Sequence, residues 1–177
     1  WLYRTLFDLL PLAAVGDWPV YVSLAEARAY ARWQGGRLPT EAEFHRAAYG
    51  TPDRTERRYP WGIADPTTER GVFDFTSWDP EPAGSHRHGA SAWGVEDLVG
   101  NGWEWTNTVF APFQGFHAMA SYPEYSADFF DGQHVVMKGA SPATSHELLR
   151  PTFRNWFRRR YPYVYATFRC VRTRDDD

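Results

Sequence analysis

Apolar residues recur at helical spacing in two stretches near the start of the chain. In the first, Leu24, Ala27, Tyr30 and Ala31 fall on one face, and Ser23-Leu24-Ala25-Glu26 has the form of a capping box. Gly35-Gly36 ends this helix. In the second, Thr40-Glu41-Ala42-Glu43 is again a capping box, Phe44, Ala47 and Ala48 form the buried stripe, and Gly50 is the stop. Arg37-Leu38-Pro39 is a short extended linker between the two. Further along, the period shortens to two. Behind the turn Gly100-Asn101-Gly102 comes Trp103-Glu104-Trp105-Thr106; if this is extended, both indoles share one face and Glu104 points to the other. Val135-Val136-Met137, the run from Tyr163 to Phe168, and Val20-Tyr21-Val22 are the other strand candidates.

After Gly50 the texture changes, with Pro and Gly every few residues, as in Tyr59-Pro60-Trp61-Gly62 and Asp79-Pro80-Glu81-Pro82. The pattern predicts an α+β fold over residues 1–177: two N-terminal helices, a small antiparallel sheet and long packed loops of the kind that carry function. The tail Arg174-Asp175-Asp176-Asp177 reads as a solvated end. Aromatics are 18% of the 177 residues, so rings with polar handles, not aliphatic runs, supply the hydrophobic mass. A helical bundle would want more Leu and Ile.

Net charge is −3, which gives no global field to recruit nucleic acid or an acidic membrane. Of the 19 basic residues only Lys138 is lysine, a bias that reads as base composition before it reads as function. The single cysteine, Cys170, excludes an internal disulfide and fits a reducing, cytoplasmic compartment. No apolar run approaches a membrane span, and nothing reads as a signal peptide. The chain opens on Trp1 without an initiator Met, and the expectation is that it is a piece of a longer or processed protein.

Six ordered motifs resemble the formylglycine-generating-enzyme-like (sulfatase-modifying factor) superfamily. They are Trp18 to Ser23, Gly36 to Glu43, Tyr59 to Gly62, Gly94 to Asn101, Trp103 to Thr106, and Phe168-Arg169-Cys170. That resemblance implies a C-type-lectin-like fold. Phe113 to Phe116, Tyr122 to Ser126, Phe129 to Gly132, Lys138 to Ser141 and Phe153 to Trp156 narrow it to a resemblance with the ergothioneine and ovothiol sulfoxide synthases. Those enzymes use non-haem iron and dioxygen to join a thiol sulfur to the imidazole carbon of histidine or hercynine. In them this domain follows a helical domain of the DinB type, which would be the upstream partner here.

The resemblance distributes roles by position. Tyr122 and Tyr125 lie in the segment that carries a proton-donating tyrosine in one branch, and they read equally as amphipathic core residues. Trp156 matches a tryptophan lining a trimethylammonium pocket, where cation–π attraction is the physical warrant. Phe157 and Tyr161 occupy positions that hold an acid and a base in the branch using γ-glutamylcysteine, so the expected donor is a smaller thiol such as cysteine, or another sulfur or selenium compound. Arg158-Arg159-Arg160 reads either as a solvated basic turn or as a bidentate holder of a substrate carboxylate.

Formylglycine generation itself is rejected, because that branch works with a pair of cysteines and copper and this chain has one cysteine. The synthases draw three histidines from a His-x-x-x-His-x-Glu motif in the helical domain; no such motif occurs here, so iron(II) would be held by ligands outside this chain. His86-Arg87-His88 reads as a solvated loop. Asn101 and Glu104 match a loop that binds calcium in some relatives, but Val72 in Gly71-Val72-Phe73-Asp74 replaces the asparagine of a second such site. Glu104 is read instead as an acceptor of backbone N–H groups. The rival to an enzyme is a catalytically inactive lectin-like ligand-binding or display module.

Overall fold

The computed structural model describes residues 1–173; the tail read as a solvated end lies outside the described residues. The two helices form where the capping boxes place them. α1 is Leu24–Trp33 and α2 is Glu41–Tyr49, each with both capping-box hydrogen bonds present. Leu24, Ala27 and Ala31 are buried on α1, whereas Tyr30 is exposed and meets Phe168 edge-on and Trp33 at a tilt instead of entering the core. On α2, Phe44, Ala48 and Tyr49 are buried and Ala47 is only partly so.

A hairpin that the pattern does not announce opens the chain: β1 (Leu2–Arg4) pairs antiparallel with β2 (Leu9–Pro11). The main sheet has four strands. β3 (Gly102–Val109) and β4 (His134–Ala140) form its centre, β5 (Asn155–Arg158) flanks β4, and β6 (Ala166–Thr167) flanks β3. The first three are antiparallel, but β6 runs parallel to β3, so the sheet is mixed and not purely antiparallel. Of the predicted Tyr163–Phe168 strand only Ala166 and Thr167 pair. Val20-Tyr21-Val22 forms no strand, although the Val22 N–H donates to the Ala166 carbonyl beyond the sheet edge.

The two-residue period of β3 sets the core. Trp103 and Trp105 point to the side where Leu24, Ala27 and Ala31 of α1 meet Val135 and Met137 of β4. The Trp105 indole N–H donates to the Val22 carbonyl, so even this fully buried ring has its polar handle satisfied. The opposite face of the sheet carries Glu104, Lys138 and Trp156, and α2 lies on that side with Glu41 beside Lys138. Gly100 permits the entry to β3. Its φ is +89°, and a Cβ there would meet the Val72 backbone nitrogen at 2.6 Å.

Glu104 is not the acceptor of loop N–H groups that the sequence suggests. Only 2% exposed, it receives both arms of Arg169, Nε to Oε2 at 2.6 Å and Nη2 to Oε1 at 2.5 Å. The same guanidinium donates to the Glu96 carbonyl. Burial pulls the Arg169 pKa down, but the Glu104 charge and its hydrogen bonds outweigh this and hold it above the ordinary arginine value.

Candidate functional site

From Ala111 to Tyr125 the chain is exposed at every residue, and it leads through short 3-10 turns at Pro123–Tyr125 and Ala127–Phe129 back to β4. Its flanks are aromatic. Phe110, buried at the end of β3, stacks on Trp156 of β5 with centroids 4.2 Å apart and planes 7° from parallel. Phe130 packs on Phe110 at 4.8 Å, and Phe116 meets Phe130 edge-on at 5.2 Å. These rings, together with Phe113 and Phe153, wall a cavity of about 390 Å³ with Tyr125 at its rim.

A part-buried ion pair fixes this wall. Arg154 reaches back to Glu41 at the start of α2, with Nη2 to Oε2 and Nε to Oε1 both at 2.8 Å. Its Nη1 donates to the Ala111 carbonyl at 3.1 Å, and its plane lies over Phe113 at 4.2 Å and Phe110 at 4.9 Å. One guanidinium therefore ties α2 to the root of the exposed loop and to two of the cavity's rings. Beneath it, Lys138 is 1% exposed and donates to the carbonyls of Pro151 and Phe153 at 2.7 and 2.8 Å, clamping the segment that enters β5. Burial pushes the Lys138 ammonium down to about 8; Glu41 opposes this shift and Arg154 adds to it. Sequence reading alone assigned no role to Glu41, Arg154 or Phe110. Lys138 stands out in the sequence both as the sole lysine and at the head of the Lys138–Ser141 motif, though neither signal names its partners.

The predicted site residues separate into two groups. Trp156 and Tyr125 both line the aromatic cavity. Tyr122 is 55% exposed and Tyr125 57%, with ring centroids 5.8 Å apart, so neither is a core residue. Phe157, on the other face of β5, packs against the core around Trp103 and Trp105 and stacks on Tyr161 at 4.7 Å and 14°. Arg158, Arg159 and Arg160 line a separate depression with Gly132 and Gln133, and Arg158 lies 4.0 Å from Asp131.

Among the described residues, no three His, Cys, Asp or Glu converge on a point that could hold a metal. His45 pairs with Glu56, His134 with Asp131 and His146 with Asp74. His86 is not on a solvated loop: it is buried, with Nε2 3.3 Å from Glu81 and Nδ1 3.7 Å from Asp97. The residues present do not fit an iron centre. Nor do Asn101 and Glu104 fit calcium. Both Glu104 oxygens are taken by Arg169, and the Asn101 side chain is spent on the Glu81 backbone, accepting from its N–H and donating to its carbonyl.

Residues 9–174 match the model of the sulfatase-modifying factor enzyme 1-like domain. The chain is 43% identical over 158 residues to the hercynine oxygenase of Mycobacterium tuberculosis, covering 88% of this chain and 36% of that protein. It is 31% identical over 219 residues to ergothioneine biosynthesis protein 1 of Neurospora crassa, covering 96% of this chain and 24% of that one. The chain thus spans about a third or less of the length of these relatives. Among solved structures, that of CarF superposes with a TM-score of 0.64 at 20% identity, over 97% of this chain and 74% of CarF. That likeness bears on the fold alone, and it agrees with the α+β, C-type-lectin-like architecture expected from the motifs.

Proposed function

Because the chain belongs to the sulfatase-modifying factor enzyme 1-like domain family, we propose that it is the substrate-binding part of an oxygenase in ergothioneine-type biosynthesis. In this reading the whole protein is an iron- and oxygen-dependent sulfoxide synthase. It forms a C–S bond between a small thiol and the imidazole of hercynine or histidine. The observation that carries the reading is the aromatic cavity, which brings Trp156 and Tyr125 to one place.

Each residue has a task that its geometry suits. Phe116, Phe130 and Trp156 line the cavity and supply aromatic surface against which a quaternary ammonium would pack, one face of Trp156 being taken by Phe110. Arg154, neutralised by Glu41, shapes the cavity without itself adding a net charge that would repel a cation. Tyr125 presents a hydroxyl at the rim that no protein group engages among the described residues, and it is free to donate a proton to the reacting substrate. The stacked Phe157–Tyr161 pair offers no charge to a glutamyl group, which favours cysteine as the donor over γ-glutamylcysteine. The iron, held by ligands outside this chain, would supply the activation of dioxygen.

The continuous exposure of residues 111–125 suits a surface covered by another domain, and we infer that the helical domain bearing the iron ligands sits there. Oxygen uptake by the full protein with hercynine and cysteine tests the reading. Uptake that is lost in Trp156→Ala supports it, and no uptake with hercynine or histidine and any thiol overturns it.

A further inference from the structure

A ligand that carries a quaternary ammonium into the aromatic cavity leaves open what holds its other end. The cavity has two arginines in its wall, and they differ in how far they are committed. Arg154 is spent on Glu41 and on the Ala111 carbonyl. Arg150 is exposed, and among the described residues no carboxylate lies within ion-pair distance of it. Its one hydrogen bond is a long 3.4 Å contact from Nη1 to the Leu148 carbonyl.

Arg150 is nonetheless well placed. Its guanidinium carbon sits over the Phe153 ring at 5.2 Å, and Phe153 in turn packs edge-on against the buried Trp103 at 5.2 Å. The Phe153 N–H donates to the Arg150 carbonyl, closing the turn between them, and buried Leu149 anchors the residue before it. An arginine laid on a rigid ring keeps its planar fork of donors oriented, so less freedom is lost on binding a carboxylate than for a free side chain. By contrast, Arg158, Arg159 and Arg160 face a separate depression outside the aromatic cavity.

We propose that Arg150 is the carboxylate anchor of the aromatic cavity: it is the residue by which this site would tell a ligand bearing quaternary ammonium and carboxylate on the same carbon, as hercynine does, from a cation that lacks the acid. The aromatic walls take the ammonium and Arg150 takes the carboxylate. The ammonium half of this proposal rests on the function proposed above, whereas the choice of Arg150 over Arg158–Arg160 rests on the cavity's geometry. It makes Arg150 a specificity-determining residue, separating betaines from otherwise similar cations that lack the acid.

The test measures dissociation constants by calorimetry on the full protein with two probe pairs: hercynine against its methyl ester, and glycine betaine against choline. The wild-type protein is expected to prefer the carboxylate member of each pair by about 10- to 100-fold, the range for a charge-assisted hydrogen bond. Arg150→Gln should bring both ratios close to one while leaving the ester and choline unchanged. Arg150→Lys should keep part of the preference, and Arg158→Gln should keep all of it. Arg150 is exposed, so these variants should melt at the wild-type temperature. A preference that survives Arg150→Gln, one that disappears in Arg158→Gln, an equal weakening of all four ligands, or no binding of any of them overturns the proposal. If hercynine fails to bind but the betaine–choline preference depends on Arg150, the anchor stands and the hercynine reading falls. If hercynine is turned over but its ester binds equally well, the reverse holds.

Discussion

The molecule uses aromatic residues in two opposite ways. Around Trp103 and Trp105 the rings are buried, pressed between α1 and β4, and the polar groups nearby are matched: the Trp105 N–H to Val22, and Glu104 to Arg169. Around Phe110 and Trp156 the rings also pack closely, but they open onto a cavity, and among the described residues no protein group bonds the hydroxyls of Tyr122 and Tyr125. Ring content alone does not separate a core from a site. What separates them is whether the polar handles are bound within the protein or left to solvent. A region that leaves its hydroxyls to solvent and ligand contributes less to stability, whereas the matched region is where the fold's stability resides.

Substitutions should break the two regions differently. Arg169→Ala would strand the buried Glu104 carboxylate and should cost about 3–5 kcal/mol in denaturant-induced unfolding. A cost under about 1 kcal/mol would mean that the matched region is not where stability lies. Trp105→Ala should be comparable, about 3–5 kcal/mol, while Trp156→Ala, half-buried at the cavity, should cost less stability and more ligand affinity. Equal losses for the two tryptophans in paired melting and binding measurements would erase the distinction. Lys138, beneath the cavity, gives a pH signature. Its folded pKa near 8 lies below the ordinary 10.5, so between those values the unfolded chain binds more protons and stability should rise with pH across that window. Lys138→Met should flatten the rise in melts taken from pH 7.5 to 10. The smallest stability change is expected for Tyr125→Phe, within about 0.5 kcal/mol. Turnover should nonetheless fall about 100-fold or more if its hydroxyl moves a proton, and a Tyr125→Phe protein with wild-type turnover would remove that role.

Much of the matched region was legible in the sequence, because its signals are local. A capping box needs four residues, and the two-residue period of Trp103-Glu104-Trp105 places its own faces. Its long-range partners were not legible. Glu104 finds Arg169 65 residues later, and Arg154 finds Glu41 113 residues earlier; nothing near either residue names the other. Tyr163–Phe168 alternates like a strand, yet only two residues pair, because β6 needs a parallel neighbour supplied by β3 and not by an adjacent hairpin. At the cavity, Trp156 and Tyr125 came forward through family resemblance. The residues that hold the wall, Glu41, Arg154 and Lys138, required coordinates. The arginine triplet stands out by its density, but the arginines that face the rings are Arg150 and Arg154, and only Arg150 is uncommitted.

The central claim is that the aromatic cavity holds hercynine for oxidative C–S bond formation. It is tested most directly by oxygen uptake and product mass in the full protein supplied with hercynine and cysteine, wild type beside Trp156→Ala. The account expects oxygen consumption coupled to a sulfoxide whose mass joins both substrates, sharply reduced in Trp156→Ala. No oxygen consumption with hercynine or histidine and any thiol, or unchanged turnover in Trp156→Ala, would contradict it.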